Sequence, residues 1–320
     1  MNTASTAFRL LVLLCILAMI LLSLLSFTVI SPRKTLHATP INLNAPSLKP
    51  SDPLYMAACV PMNKDLATLP EFLIHHYFHI GIQRFYLVDQ SDEGDVSSNY
   101  HELPLNSSYI TWLKAPPTNN ETAHGQFSAY DLCQARYGNL HAWIAYLDVD
   151  EFIEQRQKDT TLQDFLHTMD KNSTVGAFGI NVLLHTSNNT ILEQEGKSLR
   201  ETFTECASSD MKDSPNAHIK SIVKTKYYDK PRTDHCFITK GNSMTVGETG
   251  DKVPFIWRRP ITTNLFAIHH YAFRSREEFN VRVKNGEVEE PRTFPDMMEW
   301  WKFIHAMPKM KCDSMAHLKS

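Results

Sequence analysis

"WIAYLDVDEFIE", residues 143 to 154, is an apolar run that ends in four carboxylates, Asp148, Asp150, Glu151 and Glu154. Its first five residues are apolar on both faces of an extended chain. A strand buried on two sides belongs inside a parallel sheet covered by helices. In sheets of that kind ligands bind just beyond the carboxyl ends of the strands. Asp148 and Asp150 alternate across the backbone at that point, so one can face a site while the other reaches it through water or a metal. Like charges set so close are relieved by a hard divalent cation, Mg2+ or Mn2+, which takes oxygen ligands and keeps positions open for phosphates. A lone D-x-D also occurs as a solvated turn or at a helix N-terminus, where the macrodipole favours acids; the buried strand before it is what points to a metal. Glu151 reads as a brace for the site and Glu154 as solvated surface.

Upstream, Leu54 to Val60 is a short apolar strand, and Leu69, Phe72, Leu73, Tyr77 and Ile80 recur at helical spacing until Gly81. Arg84 to Val88 is a second strand, finishing at Asp89 in a polar turn, which makes a βαβ unit. Tyr109 to Leu113 is a third strand, Gln126 to His141 a second helix, and Ala142 to Leu147 a fourth strand. Downstream the pattern shifts toward strands at Gly176 to Leu184, His218 to Thr225, Cys236 to Lys240 and Leu265 to Tyr271. Ser275 with Glu278 forms a capping box for a helix that Gly286 can stop. No internal repeat or low-complexity break divides residues 54–320, which read as one α/β domain.

With 42% apolar and 21% charged residues and a net charge of -3, the chain has ordinary globular composition and no basic field for nucleic acid. After a tail of residues 1–9, Leu10 to Ile30 is interrupted only by Ser23, Ser26 and Thr28, and as a helix it would cross roughly 30 Å of hydrocarbon. A cleaved signal peptide has a shorter apolar core, so a membrane anchor is expected, followed by a Pro-, Asn- and Ser-rich stem over residues 31–53. The flanking charges, Arg9 before and Arg33 and Lys34 after, favour a cytosolic body. The sequons at Asn106, Asn120, Asn172 and Asn188 require a lumenal one. Cys15 lies in the span, and the other five cysteines contain no CxxC pair, which argues against a zinc knuckle; if disulfides form, the odd count leaves at least one thiol unpaired or intermolecular. His75 and His79, at i and i+4, could share a metal on one helix face, but the segment lacks the Glu of an H-E-x-x-H motif, and with His76 they read as aromatic-rich helix surface. His269 and His270 end a strand before the basic segment Arg274 to Lys284, where an imidazole could complete a metal shell begun by Asp150.

Several blocks together resemble glycosyltransferase family 92. They are "AACVPMNKDLATLPEFLIHHYFHIGIQRFYLVDQSDEGD" (57–95), "QFSAYDLC" (126–133), "WIAYLDVDEFIE", "HIKSIVKT" (218–225) and "HHYAFRSREEF" (269–279), in family order between about Met56 and Gly286. The resemblance does not extend to the C-terminal "FPDMMEWWKFIHAMPKMKCD". It implies a GT-A fold, a Rossmann-like mixed sheet flanked by helices, and metal-dependent transfer of a sugar with inversion from a nucleotide donor, UDP-galactose foremost. By the same resemblance Asp150 and His270 would hold Mn2+ or Mg2+, Asp148 the metal or the ribose, and Asp89 the nucleoside. Lys220 and His235 would serve the donor side. The base is left open among Glu201, Glu205, Asp210 and Glu248. A single-pass type II Golgi protein follows, with a lumenal catalytic domain, a glycan acceptor, and contact with the bilayer through residues 10–30. Another UDP-sugar, or a non-catalytic glycan-binding or scaffold protein on the same fold, is the alternative. A phosphate-ester hydrolase would need a second ligand cluster that the sequence lacks.

Overall fold

The structure, a computed structural model, describes residues 51–62, 67–91, 103–116, 125–192, 196–284 and 297–318. The tail, the expected anchor, the stem up to residue 50, Asn120 and Gly286 lie outside the described residues. Among the described residues no helix is long and apolar enough to cross a membrane.

Strand β1 (Met56–Met62) leads into helix α1 (Leu69–His75), which continues as a π-helical turn, His76–Ile80. Gly81 closes that turn at φ 80°, a left-handed conformation that glycine adopts without a Cβ clash. β2 (Phe85–Asp89) and β3 (Ile110–Lys114) follow, then α2 (Gly125–Tyr137) and β4 (Trp143–Tyr146). The second half holds β5 (Glu151–Gln155), α3 (Leu162–Asp170), β6 (Val175–Leu184), α4 (Leu199–Thr202), β7 (Glu205–Ala207) and β8 (Ile219–Lys224). After these come β9 (Tyr228–Pro231), β10 (Phe237–Thr239), β11 (Met244–Val246), β12 (Phe266–His270), α5 (Arg276–Lys284), α6 (Met297–Ala306) and β13 (Lys309–Lys311).

The main sheet runs β3-β2-β1-β4-β8-β6-β12-β5, with β11 also paired to β6. β1 to β4 are mutually parallel, β8 is antiparallel to both β4 and β6, β12 is parallel to β6, and β5 is antiparallel to β12. It follows that one edge of the sheet collects the carboxyl ends of β1, β2, β3, β4, β6 and β12 together with the amino ends of β5 and β8. The mixed, helix-flanked sheet is the one the family resemblance implies; the parallel sheet expected from the strand pattern holds for β1 to β4, while β5 and β8 run antiparallel to their neighbours.

Both faces of the sheet are covered, and successive residues of β1 divide between them. Met56, Ala58, Val60 and Met62 pack with Leu69, Phe72 and Leu73 of α1 and Leu162 and Leu166 of α3, whereas Ala57 and Cys59 pack with Ala129, Tyr130 and Cys133 of α2. Each fully buried large apolar side chain contributes about 1.5–3 kcal/mol, which is why these runs lack polar alternation. A disulfide, Cys59–Cys133, ties β1 to α2, and a second, Cys206–Cys312, ties β7 to the chain just after β13; Cys236 is a buried free thiol.

Three local expectations are corrected. Glu154 is not solvated surface: it lies in β5, a strand that the acidic sequence concealed, with its side chain 11% exposed and bonded to His269 and Arg156. His75 and His76 are fully buried rather than surface residues, with His75 Nε2 against the Ile153 carbonyl and His76 Nδ1 against the Phe72 carbonyl. The second helix stops at Tyr137, and a 3-10 turn, Gly138–Leu140, separates it from β4. The C-terminal segment closes a small core in which Trp301, Ile304 and Met307 meet Phe273 and Phe279.

Candidate active site

The gathered edge of the sheet carries the carboxylates. Asp89 ends β2, where its Oδ1 accepts from the Ser91 backbone N–H and hydroxyl and its Oδ2 from Lys114 Nζ at 2.8 Å. Asp148 follows β4 and remains 31% exposed; its Oδ1 accepts from Gln126 Nε2 at 2.6 Å and its Oδ2 from Lys220 Nζ at 2.8 Å. Two residues on, Asp150 is buried, with Oδ1 3.5 Å from His270 Nε2 and Oδ2 3.9 Å from Arg274 Nη2. Glu151 opens β5 and is wholly buried. Its Oε2 accepts from the Asp148 N–H at 2.9 Å and lies 3.3 Å from Lys220 Nζ. Its Oε1 lies 3.7 Å from His270 Nδ1 and has no hydrogen-bond partner.

Charge in this cluster is strongly coupled. Burial pushes the Glu151 carboxyl up to about 7 against the pull of Lys220. Burial also opposes charge on Lys220, yet Asp148 and Glu151 outweigh it and hold the ammonium well above its ordinary range. His270 follows the same logic: burial works against its protonation, while the bond to Asp150 and the nearby carboxylates raise it.

This donor set fits a hard divalent cation. Asp150 and His270 stand together, Glu151 has a buried oxygen without a donor, and Mg2+ or Mn2+ needs only one or two protein carboxylates when substrate phosphates and water supply the rest. Asp148 is turned to Lys220 and Gln126 instead. Among the described residues the one trio of His, Cys, Asp or Glu ligand atoms within 4.8 Å of one another is His185, Cys206 and Cys312, and two of its sulfurs are joined as a disulfide. Asp150 and His270 thus stand together at this edge, whereas both oxygens of Asp148 are taken up by Gln126 and Lys220.

Of the remaining expected site residues, Lys220 and His235 come to this edge. Lys220 Nζ also donates to the Asp234 carbonyl at 3.2 Å, and His235 has Nδ1 at the Ile219 carbonyl and Nε2 3.1 Å from Asp234 Oδ2. Burial takes His235 down to about 4. The suggested bases are placed elsewhere or occupied. Glu205, on β7, is 3.8 Å from Lys309 Nζ, and Asp210 is exposed in a turn. Glu201 closes the capping box of Ser198, and Glu248 accepts the backbone N–H groups of Asn264, Leu265 and Phe266, so its carboxylate is spent on anchoring β12. Sequence reasoning missed Gln126 and Asp234. Both reach the cluster from elements far away in the chain, and nothing local marks them.

The family model of glycosyltransferase family 92 matches residues 56–296, a span that includes every strand of the main sheet. The chain belongs to glycosyltransferase family 92. A glycosyltransferase family 92 protein from Ricinus communis is 27% identical over 110 residues, 33% of this family 92 chain and 18% of the relative, so the match spans less than a fifth of that protein. Among solved structures, a mannosyltransferase from Pyrobaculum calidifontis in complex with GDP-Man and Mn2+ is 14% identical with a TM-score of 0.28, over 42% of this chain and 37% of that one. TarS from S. aureus is 12% identical with a TM-score of 0.28, over 54% of this chain and 29% of that one. A 4-diphosphocytidyl-2C-methyl-D-erythritol synthase from Anaerococcus prevotii is 11% identical with a TM-score of 0.30, over 63% and 92%. At such distances the residue roles in this family 92 chain rest on its own geometry.

Proposed function

We propose that this glycosyltransferase moves a hexose, galactose foremost, from a UDP-sugar to a glycan acceptor with inversion, on a GT-A type sheet and with the help of Mn2+ or Mg2+. The observation that carries the reading is the pair Asp150 and His270, set at the end of a buried strand with Arg274 beside it. These residues would hold the cation, which supplies positive charge where the departing diphosphate becomes negative. Arg274, 3.9 Å from Asp150, adds a fixed guanidinium to the same place. Lys220 and Gln126 fix both oxygens of Asp148, so that carboxylate is positioned before any donor arrives. Glu151 holds the Asp148 backbone through its N–H and braces the turn between β4 and β5. Asp89, fixed by Ser91 and Lys114, stands where the parallel strands end and serves the nucleoside. The acceptor hydroxyl needs a base as the anomeric bond breaks.

The catalytic body is read as lumenal, carried by a type II anchor over residues 10–30 in the Golgi membrane. Two intrachain disulfides agree with an oxidising compartment.

A panel of UDP-sugars incubated with the purified full-length chain, with and without Mn2+, tests the reading. Transfer or donor hydrolysis is expected only with the cation, and Asp150→Asn is expected to lower it about a hundredfold or more. Turnover that survives both chelation and Asp150→Asn would remove the metal from the mechanism.

A further inference from the structure

Three aromatic rings form a ladder from the carboxylate cluster to the surface. His235, whose ring nitrogens face the Ile219 carbonyl and the Asp234 carboxylate, stacks on His218 with centroids 5.1 Å apart and planes 12° from parallel. His218 stacks in turn on Trp257 at 3.9 Å and 30°. The inner end belongs to the site, because the Asp234 carbonyl accepts from Lys220, whose ammonium also holds Asp148. The outer end is open: Trp257 is 50% exposed.

The backbone on either side of this half-exposed tryptophan is pinned. Its neighbours on both sides are tied to the strand edge, the Ile219 N–H donating to the Ile256 carbonyl at 3.0 Å and the Arg258 N–H to the Ala217 carbonyl at 2.8 Å. Arg258 is itself buried, held by Asp251 at 2.8 Å and by Asn181 Oδ1 at 2.8 Å. Phe255, two residues before Trp257, lies under the Arg232 guanidinium at 4.5 Å. The indole is thus a flat apolar surface fixed in place before any ligand arrives, which lowers the entropic cost of binding.

We infer that Trp257, backed by His218 and His235, is the platform for a pyranose ring of the acceptor glycan, next to the ring that receives the transferred sugar. A pyranose offers one face of C–H groups that packs on an aromatic plane and an edge of hydroxyls that stays in water, and a half-exposed indole matches both requirements. The ladder sets where the glycan goes. The reacting sugar lies over the Asp150 edge, and the next ring lies out toward Trp257. This inference rests on the glycosyltransferase reading, and the platform gives that reading a preference for acceptors of more than one sugar.

The test uses the full-length chain labelled with 5-fluorotryptophan and purified in a detergent without a sugar headgroup. The chain has five tryptophans, and the fluorine resonance lost in Trp257→Phe is that of Trp257. Methyl β-galactoside, methyl β-glucoside, methyl α-mannoside, lactose and cellobiose are titrated, and Mn2+ with UDP is titrated separately. The expected result is a saturable shift of the Trp257 resonance with at least one sugar, larger affinity for the disaccharide than for its monosaccharide, and at least tenfold weaker binding in Trp257→Ala. Binding of Mn2+ and UDP is expected to be unchanged in that variant. A Trp257 resonance that no sugar moves overturns the platform, as does one that moves only with protein concentration, since the face would then belong to a second copy of the chain. If sugars move Trp257 but Mn2+ and UDP do not bind, the donor reading fails while the platform stands.

Discussion

Lys220 and Glu154 show how individual charges are held. Lys220 is 1% exposed, and its ammonium has Asp148, Glu151 and the Asp234 carbonyl around it. Removing one member of such a group leaves an uncompensated buried charge, which costs more than the intact pair contributes. Lys220→Met is therefore expected to lower stability by about 3–5 kcal/mol in urea unfolding, and Glu151→Gln in the same chain to recover part of that loss. Full additivity of the two would deny the coupling. Glu154 lies at the end of a chain of rings: His185 Nδ1 is 2.6 Å from the Phe203 carbonyl, His185 Nε2 is 2.7 Å from His269 Nδ1, and His269 Nε2 is 2.8 Å from Glu154 Oε2. Burial opposes protonation of both imidazoles and lowers them, so the carboxylate of Glu154 is the charged end of this chain. Burial opposes the ionised form of Glu154, but the bond to His269 and the charges of His269 and Arg156 bring its carboxyl down from the ordinary 4.5 to about 2. A depressed carboxyl contributes stability that is fully present above about pH 4.5 and lost as pH falls toward 2. Glu154→Gln, whose amide can donate to His269 with both rings neutral, is expected to flatten the stability profile in that window by up to about 3 kcal/mol. Superimposable profiles of the two proteins in urea unfolding at graded pH would refute this role.

Elements differ in how plainly the sequence announces them. β1, β2, β4 and β6 are apolar runs because both faces of the sheet are covered, and the ends of β2 and β4 place Asp89, Asp148 and Asp150 from the sequence alone. β5 was hidden because its acidic start reads as a turn and Glu154 as a solvent-facing charge; the partners of Glu151 and Glu154, Lys220 and His269, are far off in sequence and come close only when β8 and β12 enter the sheet. Asp234 and Trp257 were hidden because each is brought to the edge by a segment with no periodicity of its own, and Gln126 because its partner Asp148 meets it only when the helix packs against the sheet. Glu248 shows the opposite error. A carboxylate in a polar loop looked available for proton transfer, but its oxygens accept three backbone N–H groups at 2.9–3.2 Å where β12 begins. Hydrogen bonds to a charged acceptor are worth about 1.5–3 kcal/mol each and are not additive, so Glu248→Ala is expected to cost about 3 kcal/mol. The loss should appear locally, as faster amide exchange at residues 264–266, and unchanged exchange there would mean that β12 needs no such anchor.

At the scale of the whole molecule, the compartment of the folded body is the open quantity, and the three sequons whose structure is described give it a site-resolved test. Asn106 and Asn172 are exposed, and each uses its side-chain oxygen to accept a nearby backbone N–H, from Ser108 and Thr174. Neither contact involves the amide nitrogen to which a glycan attaches. Asn188 is different. It has a left-handed φ of 50°, its Nδ2 donates to the Thr202 carbonyl at 3.0 Å and to Thr204 Oγ1 at 3.2 Å, and its Oδ1 accepts from the Glu205 N–H at 3.1 Å. All three bonds join the turn after β6 to the segment entering β7, so a glycan on that nitrogen would remove a donor and wedge the two apart. Glycan transfer precedes folding, and any chain modified at Asn188 would then carry this defect into the folded state. The expectation is that peptide mapping of the folded protein, made in secretory cells and treated with an N-glycosidase in heavy-oxygen water, labels Asn106 and Asn172 and leaves Asn188 unmodified. Asn188→Ala should destabilise the protein by about 1–3 kcal/mol, whereas Asn106→Gln and Asn172→Gln should stay within about 0.5 kcal/mol of the parent. Absence of label at both exposed sites would place the body on the cytosolic side, as the charges flanking Leu10 to Ile30 suggest, and label at Asn188 in folded protein would show that its hydrogen bonds are dispensable.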